Sequence, residues 1–291
     1  MTTAADFWEY AVVVVREGAT VTSGRESPGF DPTMPNEARM LDYMLGGKDN
    51  FAADRAAADR ALALAPELPI MARESRKFVR RSVRYLVRAG IRQFIDVGCG
   101  LPTQGSVHQS AEAEAPDFRV VYVDDDPVVV NHAQALLADS SQAAVVRADM
   151  REPETIVDES RSTGLIDFER PVAVMLVGVL NIISEDDVVQ RIVGRLRGSI
   201  ASGSHLVITH AISDLRPEVT ERLAELYQDE EIVRGSRRRN VRSRAEVEPF
   251  FDGLELAEPG IVHVPAWRPD PGEPTVDPQE IWSIGGVGRK P

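Results

Sequence analysis

Five short apolar runs, at 93–97, 119–123, 144–148, 172–177 and 205–209, spaced by longer segments, constrain this 291-residue chain more than any other feature. The run at 172–177 has no polar alternation, which predicts a strand buried on both faces. Helical patterns at 106–115, 128–138 and 185–200 fall between the runs. Repetition of strand, helix, strand predicts an α/β fold with a mostly parallel sheet and helices on both faces, because parallel neighbours need crossover connections. After a helix at 215–227, Ser243 and Glu246 have the spacing of a capping box for a further helix ending near Phe251. Strand patterns at 254–256, extending towards 264, and at 281–288 flank a Pro-rich loop at 265–278. The economical closure is an antiparallel last strand on a seven-stranded sheet.

Ahead of the first strand the chain reads differently. Residues 1–32 carry a short apolar run, Ala11 to Val15, and then become Gly-, Ser-, Thr- and Pro-rich, which predicts a flexible extension. Residues 33–90 read as three helices forming a cap or lid. The first stops at Gly46-Gly47, the second is Ala-rich and is broken by Pro66 and Pro69, and the third puts Phe78, Val79, Val83, Leu86 and Val87 on one face. Residues 91–291 then form the ligand-binding domain. A hydrophobic content of 43% is ample for its core. With 46 acidic against 33 basic residues the net charge is -13, which repels phosphate backbones and anionic lipid, so no nucleic acid and no membrane is expected as partner. Cys99 is the only cysteine, so no intrachain disulfide can form, and with no bilayer-length apolar run or basic leader the expected location is cytoplasmic. The 5 histidines and single cysteine show no metal-ligand spacing.

Chemistry is concentrated at the ends of the first three strands. In Phe94-Ile-Asp-Val-Gly-Cys-Gly-Leu-Pro-Thr103, Gly98 and Gly100 directly follow a buried strand, where backbone can approach a nucleotide-like ligand. At the end of the second strand, Asp124 is placed to accept both ribose hydroxyls, with Asp125 beside it. Asp126, before Pro127, suits a helix N-cap. At the end of the third, Asp149 offers a carboxylate to an adenine amino group and Met150 a packing surface. Three adjacent strand ends on one sheet edge point to one ligand.

The chain is similar to the class I methyltransferases that use S-adenosylmethionine (SAM). More closely it resembles the actinobacterial S-adenosyl methyltransferase family, on Pro35-Asn36, Ala38-Arg39, Asp42-Tyr43, Leu45-Gly-Gly-Lys-Asp-Asn-Phe51, Asp96-Val-Gly98, Gly100-Leu-Pro-Thr103, Tyr122-Val-Asp124, Asp126-Pro127 and Gly285-Gly-Val-Gly-Arg-Lys-Pro291. The resemblance implies a Rossmann-like fold, SAM as cofactor and a small-molecule methyl acceptor. It also implies Gly98 and Gly100 at the methionine moiety, Asp124 at the ribose, Asp149 and Met150 at the adenine, and residues from Gly178 to Asn181 beside the methyl group. Cys99 and Asn181 depart from the pattern, standing where another small residue and a histidine are expected.

The segment from Asn36 to Phe51 is more polar than packing alone requires, and is expected to close over the cofactor. In that reading Tyr43 and Phe51 are hydrophobic cover, and Arg39 or Lys48 meets a carboxylate. Methyl transfer needs positioning, and a base only if the acceptor carries a proton. His210, just past the fifth strand, is the first candidate for that base and His108 the second, whereas His132 and His205 read as structural. Cys99 reads as a compact turn residue, and Arg234, Arg237, Arg238, Arg239, Arg242 and Arg244 as a solvated loop. Two other readings stay open: a SAM-binding protein without catalysis, and an NAD(P)-dependent oxidoreductase. The latter's fingerprint wants glycine where Thr103 stands. A homodimer is compatible with all three.

Overall fold

The computed structural model describes residues 31–101, 106–229, 232, 241–274, 276–277 and 280–291. The expected N-terminal extension, apart from its last two residues, lies outside that set, as do Thr103 and Arg234, Arg237, Arg238 and Arg239. Five parallel strands, β1 (Gln93–Val97), β2 (Arg119–Asp124), β3 (Ala143–Arg147), β4 (Ala173–Val177) and β5 (His205–Ala211), form the centre of the sheet. Three C-terminal strands complete it: β6 (Glu255–Leu256), β7 (Val262–His263) and β8 (Ser283–Arg289). The order is β3-β2-β1-β4-β5-β8-β6, with β7 also on β8, and β8 runs antiparallel to β5. Among the described residues the sheet thus has eight strands where seven were expected. The run expected from 254 towards 264 is interrupted at Glu258-Pro259-Gly260 and pairs with β8 as two short pieces.

Helices α1 (Glu37–Met44), α2 (Ala52–Leu64) and α3 (Leu68–Arg88) precede β1. The crossovers and tail carry α4 (Val107–Glu112), α5 (Pro127–Leu136), α6 (Pro153–Ser162), α7 (Asp186–Ser199), α8 (Pro217–Asp229) and α9 (Arg244–Val247). Of these, α6 is not evident from the sequence. Its segment PETIVDESRS buries only Pro153, Ile156, Val157 and Ser160, too few apolar positions to display a helical period. The capping box that opens α9 forms as expected, with the Ser243 backbone N–H donating to Glu246 Oε2 at 2.7 Å.

Because successive strand side chains face opposite ways, the central strands fill two separate layers. Ile95, Val121, Val174 and Leu206 pack against Ile156 of α6 and Ile192 and Leu196 of α7. Phe94, Val120, Met175 and Val207 face the other way, onto Phe78, Val83 and Leu86 of α3. The third helix of the N-terminal region is therefore one of the sheet's own covering helices. A third cluster joins Met40 of α1, Ala57, Ala58 and Ala61 of α2, Met71 of α3, Leu223 of α8 and Trp282. Among the described residues no helix is long and apolar enough to cross a membrane.

Candidate functional site

β1 has β2 on one side and β4 on the other, and the chain leaves it in one direction and returns on the other. A crevice opens at the carboxyl ends of strands wherever the order reverses in this way. Here it is framed by turns that only glycine permits. Gly98 has φ 65° and donates its N–H to the Val123 carbonyl at 2.8 Å, and a Cβ on it would lie 2.2 Å from Val179 Cγ2. Gly178, with φ 74°, turns the chain after β4 into the short 3₁₀ segment Val179–Ile182.

Asp124 links the turn after β1 to the turn after β2. Its Oδ2 accepts the Gly100 N–H and its Oδ1 the Asp126 N–H, each at 3.0 Å, and the side chain is 8% exposed. A carboxylate has about four acceptor positions, so two remain after these bonds. Burial pushes its pKa up to about 7, against the lowering effect of the two backbone donors. Asp126 caps α5, accepting the Val128 N–H at 2.7 Å.

The crevice encloses a cavity of about 330 Å³. Gly98, Gly100, Asp124, Asp125, Met150 and Gly178 all lie on its wall, so six of the sequence-based candidates are brought together. Cys99 is also there, and burial, reinforced by the charges of Asp124 and Asp96, raises its thiol well above the ordinary range. That leaves it a neutral, compact side chain rather than a nucleophile.

The remaining candidates sit elsewhere. Asp149 is turned onto its neighbour, accepting from Arg151 Nε at 2.9 Å. The Tyr43 hydroxyl donates outward to Asp59 Oδ1 at 3.0 Å, and Lys48 is exposed. His210 is 1% exposed, with Nδ1 on the Ala211 carbonyl and Nε2 3.3 Å from an Arg242 nitrogen. His108 bonds the Tyr122 hydroxyl at 2.7 Å, and burial lowers its pKa. None of these side chains lines the cavity.

The polar segment between Asn36 and Phe51 folds largely onto itself. Arg39 is buried, with Nε 3.0 Å from Asp54 and a second nitrogen 3.3 Å from Asp126, and it also donates to the Met34 carbonyl at 2.6 Å. Asp54, fully buried, also accepts the Asn36 N–H at 2.9 Å and the Phe51 N–H at 2.8 Å. Asp42 accepts the Asp49 N–H at 2.8 Å and Asn50 Nδ2 at 2.9 Å. A Cβ on Gly47 would fall 1.9 Å from Asp42 Oδ1, so the turn requires glycine. This clasp fixes α1 against α2 and against the turn after β2. The inner face of α1, through Glu37, Met40, Leu41 and Met44, forms part of the cavity wall.

Sequence reasoning missed several wall residues. Asp96, the one charge inside β1, was legible as an anomaly in a buried strand, and burial pushes it up to about 7 against the pull of Arg76. Glu37 is the first residue of α1. It is half-buried by surface, but the surface it shows is cavity wall, and burial together with the Asp124 charge pushes it up to about 7. Arg76 of α3, Gln228 of α8 and Trp282 line the same space. Among the described residues no group of acidic, histidine or cysteine side chains could hold a metal ion.

Comparison with known proteins agrees with this arrangement. A family model described as S-adenosyl methyltransferase matches residues 23–291. The crystal structure of a candidate methyltransferase from Thermobifida fusca YX is 44% identical, with a TM-score of 0.81, over 89% of this chain and 96% of that one. A DUF574 family protein from Streptomyces avermitilis is 40% identical, with a TM-score of 0.82, over 90% of this chain and 99% of that one. No protein with a curated description matches. With its Rossmann-like sheet and a glycine-framed crevice at the switch in strand order, the chain belongs to the actinobacterial S-adenosyl methyltransferase family, whose cofactor is SAM.

Proposed function

We propose that the protein is a methyltransferase that moves the methyl group of SAM to a small molecule held in the same cavity. The observation that carries this reading is the convergence of three desolvated carboxylates, Glu37, Asp96 and Asp124, on one space with Arg76 as the guanidinium on the described wall. Like charges held together away from water raise one another's pKa, and a cation or hydroxyl donors relieve the cost. SAM has both: a sulfonium, an ammonium and two ribose hydroxyls.

In this reading Asp124, assisted by Asp125, accepts the ribose hydroxyls through its two remaining lone-pair positions. Asp96 faces the ammonium end and Arg76 the carboxylate. Gly98 and Gly100 let backbone approach the methionine moiety, Met150 packs on the adenine, and Gly178 borders the methyl group. Asp149 would take the adenine amino group only by releasing Arg151. Arg39 supports the site from behind by holding Asp126 and, through it, the turn that carries Asp124.

When bound, the cofactor would supply an electrophilic methyl carbon open to in-line attack by an acceptor, with the carbon–sulfur bond breaking opposite, so the residues' task is to orient and to exclude water. The reading is tested by offering purified protein SAM with cell extract, following S-adenosylhomocysteine formation, and titrating S-adenosylhomocysteine and NADH separately by calorimetry. Binding of S-adenosylhomocysteine with turnover supports it. Binding of NADH with indifference to both adenosyl compounds at millimolar concentration refutes it. The net charge of -13 and the lone cysteine support a cytoplasmic setting.

A further inference from the structure

The cavity has two chemically distinct halves. On the strand-end side the wall is glycine backbone and carboxylate. On the side of α1, α3 and α8 it is Met40, Met44, Met71, Leu223 and Trp282, all drawn from the third apolar cluster. Thioether side chains are adaptable and make favourable contacts with aromatic rings, so a methionine-rich wall beside an indole suits an aromatic guest.

Glu37 stands where the halves meet. The Asp124 charge acts on it from one side, and it acts in turn on Tyr227 of α8 on the other. No hydrogen bond or ion pair holds its carboxylate among the described residues. The amide oxygen of Gln228, on the same wall, is buried and also without a partner there. Two acceptors left unmatched among the described residues, beside the methionine-rich half of the wall, call for a guest with a donor hydrogen, since a desolvated acceptor without a donor is costly.

We propose that this half of the cavity receives an aromatic, mainly apolar methyl acceptor bearing a hydroxyl or amine, and that Glu37 takes the proton from that group. The inference rests on the methyltransferase reading of the same site. The acceptor's O–H or N–H bond breaks and its proton passes to the Glu37 carboxylate. The electron pair left on the acceptor forms the bond to the methyl carbon of SAM. The pair of the broken carbon–sulfur bond stays on sulfur, which leaves as neutral S-adenosylhomocysteine, and Glu37 returns its proton to water. A pKa near 7 matches a general base working at neutral pH. Among the described residues the other titratable or charged groups facing this space are Asp96 from β1, Cys99 from the turn after it, Asp124 and Asp125 from β2 and the turn after it, Arg76 from α3 and Tyr227 from α8.

The test uses full-length protein saturated with S-adenosylhomocysteine, titrated by calorimetry with 2-naphthol, naphthalene and myo-inositol between pH 6 and 8. Both aromatic probes are expected to bind and inositol is not. Affinity for 2-naphthol should rise about tenfold with pH as Glu37 ionises and accepts the hydroxyl, while that for naphthalene stays flat. In Glu37→Gln, naphthalene binding and the thermal midpoint at pH 6 should be kept and the naphthol pH response lost. Failure of both aromatics to bind, or inositol binding as well as they do, overturns the acceptor class. A naphthol pH response that survives in Glu37→Gln overturns the role of Glu37. If S-adenosylhomocysteine itself fails to bind, the parent reading falls, and this one with it.

Discussion

Replacing Asp124 by asparagine tests the cofactor half of the site with little change of shape. The wild-type carboxylate gives one oxygen to each of two backbone donors, Gly100 N–H and Asp126 N–H, and has two acceptor positions left for ribose hydroxyls. Hydrogen bonds to a charged group contribute about 1.5–3 kcal/mol each and neutral ones about 0.5–1.5, so losing the charge on two of them costs about 2–3 kcal/mol. Against this stands the cost of ionising a desolvated carboxyl. With a pKa of about 7 that cost is nearly absent at pH 8, and at pH 6 it is about 1.4 kcal/mol. At pH 8 the variant should therefore bind S-adenosylhomocysteine about 30- to 150-fold more weakly than wild type. Between pH 6 and 8 the wild-type affinity should rise about tenfold, with most of that slope missing in the variant. S-adenosylhomocysteine is the right probe because it keeps the ribose and lacks the sulfonium charge. Calorimetry in two buffers of different ionisation enthalpy reports the proton released on binding. Equal affinity of the two proteins at pH 8, or the same pH slope in both, would refute the ribose assignment.

The ligand-free protein should lose stability as pH rises. Glu37, Asp96 and Asp124 have folded pKa values of about 7, above the 3.8 to 4.5 of the free groups. The folded state therefore holds more protons across that window, and its stability is full below it and declines towards neutrality. A melting temperature at pH 8 that matches or exceeds the one at pH 5.5 would contradict this, whereas bound S-adenosylhomocysteine should shrink the difference. Gly98→Ala should cost about 2–4 kcal/mol from the positive φ and the collision with Val179, and Val179→Ala in the same chain should recover part of it in denaturant unfolding. Arg39→Ala leaves Asp54 buried without its cation, so a loss of about 3–5 kcal/mol is expected, and a loss below about 1 kcal/mol would show that the clasp is dispensable. Tyr43→Phe removes an exposed hydrogen bond to Asp59 and should leave S-adenosylhomocysteine affinity within about twofold, as calorimetry can check.

Much of the sheet was legible because strands buried on both faces leave short apolar runs, and their alternation with helical patterns marks a parallel sheet. The same logic made Gly98, Gly100 and Asp124 legible, since their positions follow from where strands end. Residues contributed by helices were not. Glu37, Arg76 and Gln228 look like ordinary polar positions of amphipathic helices, and only the packing of α1, α3 and α8 around the strand ends turns them inward. His210 lies near the end of β5 expected from the sequence, but its ring nitrogens meet the Ala211 carbonyl and Arg242, and it is not among the residues that line the cavity.

The polar run after Pro35 shows how one pattern supports two physical readings. Arg39, Asp42, Asn50 and Asp54 are too polar for a simple packed helix pair, and an expected closing segment accounts for that by sending the charges to a ligand. The structure accounts for it by matching them with each other: each carboxylate accepts two or more donors from the same segment, and Arg39 spends its fork on Asp54, Asp126 and the Met34 carbonyl. Polar groups satisfied in this way hold one geometry, because any displacement of α1 would leave several buried donors and acceptors unpaired at once. In the proposed reading α1 then serves the site as a wall held by this network. Through Arg39 and Asp126 the position of Glu37 on that wall is tied to the turn that holds Asp124, so the acceptor half and the cofactor half keep a constant spacing.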